Sequence, residues 1–347
     1  MDKTFDLIVE EYKKFQQTVA VAVGGSQTAQ TADSQSDIDT YVFVENEIPV
    51  EKRLQLIKKY STKYEAGCEY FGAGDEFFVD NMNRQLDVMF MDKKWIEDIV
   101  ENVWKKHYPS NGYTTCFLFT IKNCEILYDR EGWLKGLKDR LATPYPEELK
   151  QNIIKRNMML LKDKPFASYY EQIAKAVTRN DMNSVNHRLA AFMASYFDII
   201  FAMNGLLHPG EKKLVKYALE HCKILPENFE ENITKLLTQP NPDTLKILRD
   251  MVQKLKKCLW KIFNKKRKNT MEDITLHEEI EQILEAAKRE LTVAEIQANI
   301  KSYKRKVDGQ TPNTNQIRAR VNRYPGIFYV NKSNKPHTVG LIKYRQD

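Results

Sequence analysis

Long apolar runs are missing from this sequence. No stretch of 18 or more apolar residues occurs, so no bilayer-spanning helix is expected. The opening segment MDKTFDLIVEEYKKF has no apolar core followed by small cleavage-site residues, and it reads as an amphipathic helix rather than a signal peptide. Cysteine is sparse. Cys68, Cys116, Cys124, Cys222 and Cys258 are scattered, odd in number and never spaced CxxC, so neither a zinc site nor a disulfide framework is suggested, and a reducing cytoplasm is the plain expectation. GxxxxGK[ST] is absent, which argues against a P-loop, and GxGxxG is absent, which argues against a dinucleotide fold. Repeats and low-complexity segments are absent as well.

What is present is a charged, globular composition: 42% apolar and 29% charged over 347 residues, enough for two or three domains. The net charge of +7 is unevenly spread. From residue 291 onward there are eleven Lys and Arg against three Asp and Glu, a net of +8, and the rest of the chain carries −1. A polyanionic partner for the last part of the chain follows from that asymmetry, with a basic solubilising surface as the plain alternative.

Three segments are expected. Residues 1–142 mix strand and helix signals. TVAVAVGG (18–25) reads as a buried strand ending in a glycine turn, and DIDTYVFVE (37–45) as a second strand. CEYFGAGDEFFVD (68–80) and RQLDVMFMD (84–92) are suited to pair as a hairpin, with helical patterns over 50–63 and 93–106. Residues 143–265 have helical period almost throughout and predict an all-α bundle; TPYPEEL marks its start, and NKKRKNTMED (264–273) is the linker candidate. Residues 274–347 read as a helix over 274–290, a second helix in LTVAEIQANIKSYKRK capped by Thr292, and a third in NTNQIRARVNRYP capped by Asn313 or Thr314. A hairpin through GIFYVNKSNKPHTVGLIKY follows. That order is the plan of a winged helix-turn-helix. The fold class is α+β: a mixed sheet with helices, a central bundle and a terminal winged helix.

The chemistry concentrates in VGGSQTAQTADSQSDIDTYVF (23–43). A strand runs into Gly24, Gly25 and Ser26, and Asp37 and Asp39 open the next strand. Residues two apart on a strand share a face, so the two carboxylates lie side by side while Ile38 faces the core. Adjacent carboxylates repel unless a cation lies between them, and carboxylate oxygens together with phosphates suit Mg²⁺. Asp87, between Leu86 and Val88, is placed to close the site as a third acid. Two Mg²⁺ ions (Mn²⁺ is an alternative) held there clamp an α-phosphate and activate a hydroxyl. The glycines allow close approach of backbone N–H groups to phosphate oxygens.

GGS, about ten residues, DxD, and a distant strand Asp together resemble the DNA polymerase beta-like nucleotidyltransferase superfamily. Within it, the chain resembles the antibiotic (aminoglycoside and lincosamide) adenylyltransferase branch and the minimal nucleotidyltransferases. The resemblance covers roughly residues 15–95. It implies that Gly25 and Ser26 bind a nucleoside triphosphate, with ATP favoured. It also implies that Asp37 and Asp39 bind metal, and that Asp87 is the third acid, as ligand or as base for the hydroxyl. In FAMNGLLHPGEKKLVKYA (201–218) the chain resembles the helical partner domain behind some bacterial nucleotidyltransferases, which implies a phosphate role for Lys212 or Lys213 beside a plain solvated pair. Arg188 is a further candidate for phosphate or substrate, and equally a structural or surface residue. His208 is read as packed or capping, and Tyr196, Phe197 and Phe201 as core.

The terminal segment resembles a HARE-type winged helix. Arg318, Arg320 and Arg323 on its third helix and Lys332 and Lys335 in its wing suit phosphate contacts, with a protein-binding or purely structural role as the alternative. Residues 320 and 323 share a helix face better than 318 and 320 do. The functional expectation is a metal-dependent nucleotidyltransferase, of the EC 2.7.7 type, that moves AMP from ATP to a hydroxyl and releases pyrophosphate. The acceptor is an antibiotic-like small molecule, or alternatively protein or RNA. A nucleic-acid-binding regulator that only senses nucleotide is the competing class.

Overall fold

The computed structural model describes residues 2–24, 37–70, 72–238, 243–269, 275–305 and 309–344. Contacts divide the chain into two compact units, Met1–Lys256 and Lys257–Asp347.

The first unit starts with helix α1 (Lys3–Lys13), whose Asp2 cap accepts from the Thr4 amide. Its apolar residues Phe5, Ile8, Val9 and Tyr12 recur at helical spacing and are all buried. Strand β1 (Thr18–Val23) is buried along its whole length, as its unbroken β-branched and alanine run requires of a central strand. Strand β2 (Ile38–Val44), helix α2 (Val50–Ile57), strands β3 (Lys63–Cys68), β4 (Gly74–Val79) and β5 (Arg84–Asp92) and helix α3 (Lys93–Ile99) follow. Helix α4 (Cys116–Asn123), strand β6 (Glu125–Asp129) and helix α5 (Trp133–Leu141) complete the layer. Among the described residues the strands form one sheet in the order β3-β4-β5-β2-β1-β6. Strands β2 and β5 run parallel and the other neighbours antiparallel, so the sheet is mixed.

One face of this sheet supplies Ile38, Val42, Val44, Phe77, Val79, Leu86 and Val88 to a core shared with α1 and with Leu56 and Ile57 of α2. The alternate residues of β2, β5 and β4 therefore point to the opposite face. That division places the acidic residues described below.

The chain continues as α6 (Glu147–Met158), α7 (Tyr169–Thr178), α8 (Met182–Asn204), α9 (Leu214–His221), α10 (Phe229–Thr238) and α11 (Thr244–Asn269). The long helix α8 is buried on most of its C-terminal half and stops at Gly205, whose φ of +68° reverses the chain. Tyr196, Phe197 and Phe201 are all core residues: Tyr196 stacks with Phe192 and Phe229, Phe197 meets Phe229 edge-on, and Phe201 stacks on Phe197.

The second unit contains α12 (Leu276–Ala287), β7 (Leu291–Thr292), α13 (Val293–Asn299), α14 (Thr314–Arg323), β8 (Phe328–Asn331) and β9 (Thr338–Leu341), with a sheet in the order β7-β9-β8. Each helix begins with a reciprocal cap: Thr275 with Glu278, Thr292 with Glu295, and Asn313 with Gln316. Its core is formed by Leu276, Ile280, Leu284, Ile296, Ile317, Val321, Phe328 and Val339 among others.

Three expectations about elements need correction, and one strand goes beyond them. The helical pattern over 50–63 ends at Ile57, and Lys63 already opens β3, because pairing with β4 outweighs local period. Strand β6 escapes the sequence reading; its EILYD is half-exposed and gains its order from pairing with β1. The helix in LTVAEIQANIKSYKRK ends at Asn299. The buried Glu279 carboxylate accepts from the backbone amides of Lys301, Ser302 and Tyr303 at 2.8, 2.7 and 2.6 Å, which replaces helical bonding there. Finally, α11 runs through Asn269, so the first part of the expected linker is helical.

Candidate active site

Strand β1 delivers Gly24 against β2. The Gly24 amide donates to the Asp39 carbonyl at 3.0 Å, and a Cβ at this glycine would lie 2.3 Å from Tyr41 Cε2. Close approach to a buried tyrosine ring, not an unusual φ, is what requires glycine here. Gly25 and Ser26, expected to cradle phosphates, lie outside the described residues.

The register between β2 and β5 pairs Asp39 with Asp87 directly. In paired strands such partners point to the same face. Ile38, Leu86 and Val88 go into the core, so Asp39 and Asp87 face away from it, and the exposed Asp37 lies two residues before Asp39 on that same side. The row continues across the sheet. Glu76 on β4 is opposite Asp87, and Glu65 on β3 is opposite Glu76. Four carboxylates thus cross four neighbouring strands in line, with Asp37 at one end. Gln85 donates to Asp87 Oδ1 at 2.8 Å and steadies its orientation.

Electrostatics follow from this crowding. Burial raises the Glu76 carboxyl above its ordinary value, and the negative charges of Asp87, Glu65 and Asp37 push the same way. The Tyr41 hydroxyl is raised first by burial and then by Asp39. Among the described residues no three His, Cys, Asp or Glu side chains are gathered closely enough to ligate one ion. The donor set is nonetheless of the right kind for a hard divalent cation: carboxylate oxygens only, from adjacent strands, on a half-exposed face. A cation there would relieve the repulsion that adds to the effect of burial on Glu76.

Glu76 and Glu65 were not singled out in the sequence. A signal exists: if 74–79 and 84–92 pair across the turn at 80–83, residue 76 falls opposite 87, and the period of two puts both on one face.

The other sequence candidates are dispersed. Arg188 is half-buried on α8 next to the buried Leu189. Lys212 and Lys213 are exposed ahead of α9, and Lys213 caps that helix with a φ of +54°. None of the three shares an element with the acidic row. His208 is fully buried between the rings of Tyr113 and Phe201, 4.7 and 5.0 Å away between centroids. Its amide donates to Thr115 Oγ1 at 2.8 Å, its Nδ1 accepts from the Gly210 amide, and burial lowers its pKa to about 4. It is a neutral packing residue. In the second unit Arg320 and Arg323 line one cleft, whereas Arg318 is exposed elsewhere on α14, and Lys332 and Lys335 are exposed between β8 and β9.

Among the described residues no helix is long and apolar enough to cross a membrane. Residues 113–214 match the family model described as a domain of unknown function, DUF4037. No curated protein matches the chain. Among solved structures, the chain is similar to a nucleotidyltransferase-like protein from Exiguobacterium sibiricum, at 11% identity and a TM-score of 0.37, over 97% of both chains. It is also similar to a spectinomycin adenyltransferase from Enterococcus faecialis solved with ATP and spectinomycin. There the identity is 12% and the TM-score 0.24, over 72% of this chain and 98% of that one. A CCA-adding enzyme with ATP is similar at 12% identity and a TM-score of 0.23, over 93% and 95%. At TM-scores this low none of them bears on the chemistry, and the functional reading rests on the chain's own residues.

Proposed function

We propose that the chain is a metal-dependent nucleotidyltransferase that moves the AMP of ATP to a hydroxyl acceptor. The supporting observation is the pairing of Asp39 with Asp87 in the parallel register of β2 and β5, with the exposed Asp37 two residues before Asp39 and the Gly24 amide bonded to the Asp39 carbonyl. In this reading Asp37, Asp39 and Asp87 hold two Mg²⁺ ions, which supply positive charge to the triphosphate and favour the ionised hydroxyl.

The reaction balances simply. The acceptor oxygen bonds to the α-phosphorus, the bond from that phosphorus to the α,β-bridging oxygen breaks, and pyrophosphate leaves with the electron pair. Asp87 takes the hydroxyl proton or ligates on the nucleophile's side. Gly24, Gly25 and Ser26 bind the triphosphate through backbone N–H groups and a hydroxyl. Arg188, Lys212 and Lys213 are the proposed source of counter-charge for the β- and γ-phosphates.

The continuation of the row through Glu76 and Glu65 favours an acceptor of opposite charge, a small alcohol that also carries amines, over an RNA end, whose phosphates four carboxylates repel. The second unit, with its order of helix, strand, two helices and hairpin, is read as a winged helix-turn-helix. The test is incubation with α-labelled ATP and Mg²⁺ against pools of amine-bearing alcohols, RNA and protein. Label on the small alcohols, abolished by a chelator, supports the reading. Label on none of the pools, with a folded protein, overturns it.

A further inference from the structure

Residues 251–271 hold eight Lys and Arg and no Asp or Glu, a basic stretch separate from the one that begins at residue 291. Most of it is the C-terminal part of α11, which stays helical through Asn269. Leu248, Met251, Val252, Leu255 and Leu259 recur at helical spacing and are buried, so one side of α11 is taken up by packing. Lys257, Trp260, Lys261 and Phe263, three and four residues apart, fall on the other side, and all four are exposed.

The earlier lysines of the helix are matched by acids: Lys254 lies 2.8 Å from Asp250, and Lys256 pairs with Asp163. Lys257 and Lys261 have no ion pair among the described residues. Between them Trp260 is 67% exposed, and Phe263, one turn on, is 36% exposed. Two neighbouring aromatic rings in water keep their apolar area hydrated until a partner covers it. The cover must also be negative, since the adjoining cations are unmatched and no acid occurs in the surrounding sequence.

We propose that this face of α11 docks on an anionic membrane surface. Trp260 and Phe263 enter the headgroup layer, and Lys257 and Lys261 lie over the lipid phosphates. An indole ring favours the boundary between headgroups and acyl chains, and lysine stems extend beside it while their ammonium groups stay in water. Such a helix lies on the bilayer, so no spanning segment is needed. A nucleic-acid strand is the other polyanion to consider. The cations of residues 254–261 are all lysine, hydrated point charges suited to a diffuse headgroup layer, whereas a phosphodiester strand is better gripped by the guanidinium fork. Phe263 carries no polar atom for a base edge and gains from lipid contact. The inference stands apart from any nucleotide transfer by the first unit.

The full-length chain is floated with vesicles of phosphatidylcholine alone and of phosphatidylcholine mixed equally with phosphatidylglycerol, over a range of salt concentrations. Binding to the mixed vesicles only is expected, falling as salt rises. Lys257→Gln and Lys261→Gln each weaken it about fivefold and reduce its salt dependence. Trp260→Ala weakens it at every salt concentration and leaves the salt dependence unchanged. Trp260→Phe keeps binding but loses the blue shift of tryptophan emission that vesicles produce in the native protein, whose other tryptophans are Trp95, Trp104 and Trp133. The substituted side chains are exposed, so the variants keep the fold, which the thermal transition checks. No binding to the mixed vesicles, equal binding to phosphatidylcholine alone, binding indifferent to these residues, or a single-stranded oligonucleotide held more tightly through the same residues each overturns the proposal.

Discussion

Thr114 Oγ1 donates a 2.6 Å hydrogen bond to Oδ2 of Asp198, a residue 84 positions further along the chain. The Thr114 amide donates to the other carboxylate oxygen at 3.1 Å, and Asn157 of α6 donates to Oδ2 at 3.0 Å. One residue on, Thr115 receives the His208 amide. Two adjacent threonines therefore tie the segment before α4 to α6, α8 and the turn after α8, close to both ends of the matched stretch 113–214.

That knot carries two opposed pH responses. Burial raises the Asp198 pKa to about 7, and burial lowers that of His208 to about 4. Between roughly pH 4 and 7 the folded chain keeps a proton on Asp198 that the unfolded chain has lost, so this contribution to stability falls as pH rises. Between roughly pH 4 and 6.5 the unfolded chain protonates a histidine that the folded chain keeps neutral, so that contribution rises with pH. In the native protein the two slopes oppose each other. His208→Gln leaves the Asp198 slope, and stability relative to wild type declines from about pH 5 to 6.5; Asp198→Asn gives the reverse. Each slope is at most about 1.4 kcal/mol per pH unit. Urea midpoints across this range check the signs, and parallel curves for all three proteins contradict them.

Asp39→Asn is expected to lower transfer by a factor of about 10³ or more, since the carboxylate that would hold the cation facing the developing negative charge is lost. The same change removes one of the like charges that meet across β2 and β5. Like charges in direct register are destabilising by a few tenths to about 1 kcal/mol, so the variant melts at the same or a slightly higher temperature. Calorimetry beside the transfer assay separates this from mere unfolding, in which both readouts drop.

Glu76→Gln addresses the acceptor. Glu76 is the next carboxylate past Asp87, and its charge is part of the field that an amine-bearing alcohol meets. The expected result is a KM for the alcohol raised about tenfold with the KM for ATP little changed. An equal rise in both places Glu76 with the triphosphate instead.

Gly24→Ala tests the junction of β1 with the segment that follows. The added methyl group meets Tyr41, a buried ring whose hydroxyl bonds toward Thr120, so it has little freedom to move. Overpacking of this sort costs about 1–3 kcal/mol. Activity falls further than stability if residues 25 and 26 bind the triphosphate. Denaturation midpoints and KM for ATP, measured on one preparation, show which.

The sheet was legible where composition and period agreed. TVAVAV and DIDTYVFV read as strands because continuous and alternating apolar patterns each imply one face or two in the core, and RQLDVMFMD gave up Asp87 by its place between Leu86 and Val88. Register between strands distant in sequence was not legible. That Asp87 opposes Glu76 follows from the short turn at 80–83, but that Asp39 opposes Asp87 depends on which strands become neighbours, and this is fixed by burial of α1 and α2 on the far face rather than by any local signal. Strand β6 and the early end of α13 escaped for the same reason: one needs β1 as partner, the other a buried Glu279 from 20 residues upstream of Asn299.

Asp75 shows most sharply how burial competes with pairing. It alternates with Glu76 on β4, so it points into the core, where its Oδ1 accepts from Arg53 Nη1 at 2.7 Å and from the Gly67 amide at 2.8 Å. Both side chains are almost wholly enclosed, at 4% and 0% exposure, and Arg53 also donates to the Ile48 carbonyl and lies 4.4 Å from the Phe90 ring centre. A surface pair of this geometry lowers the carboxyl pKa, yet burial outweighs the hydrogen bonds and the guanidinium, and Asp75 is raised. Removing one partner alone strands the other. Asp75→Leu leaves a permanent charge on Arg53 and should cost about 3–5 kcal/mol at any accessible pH. Arg53→Met leaves a carboxylate that escapes by binding a proton, so its cost is smaller in acid and grows as pH rises. Arg53→Met combined with Asp75→Leu removes both charges and should recover most of the loss, because an apolar pair of similar volume avoids desolvation altogether. Urea unfolding of the three variants at about pH 5 and about pH 8 decides the matter: additive losses in the double variant, or a pH-independent Arg53→Met, would mean that the pair holds the α2–β4 contact by charge and not in spite of it.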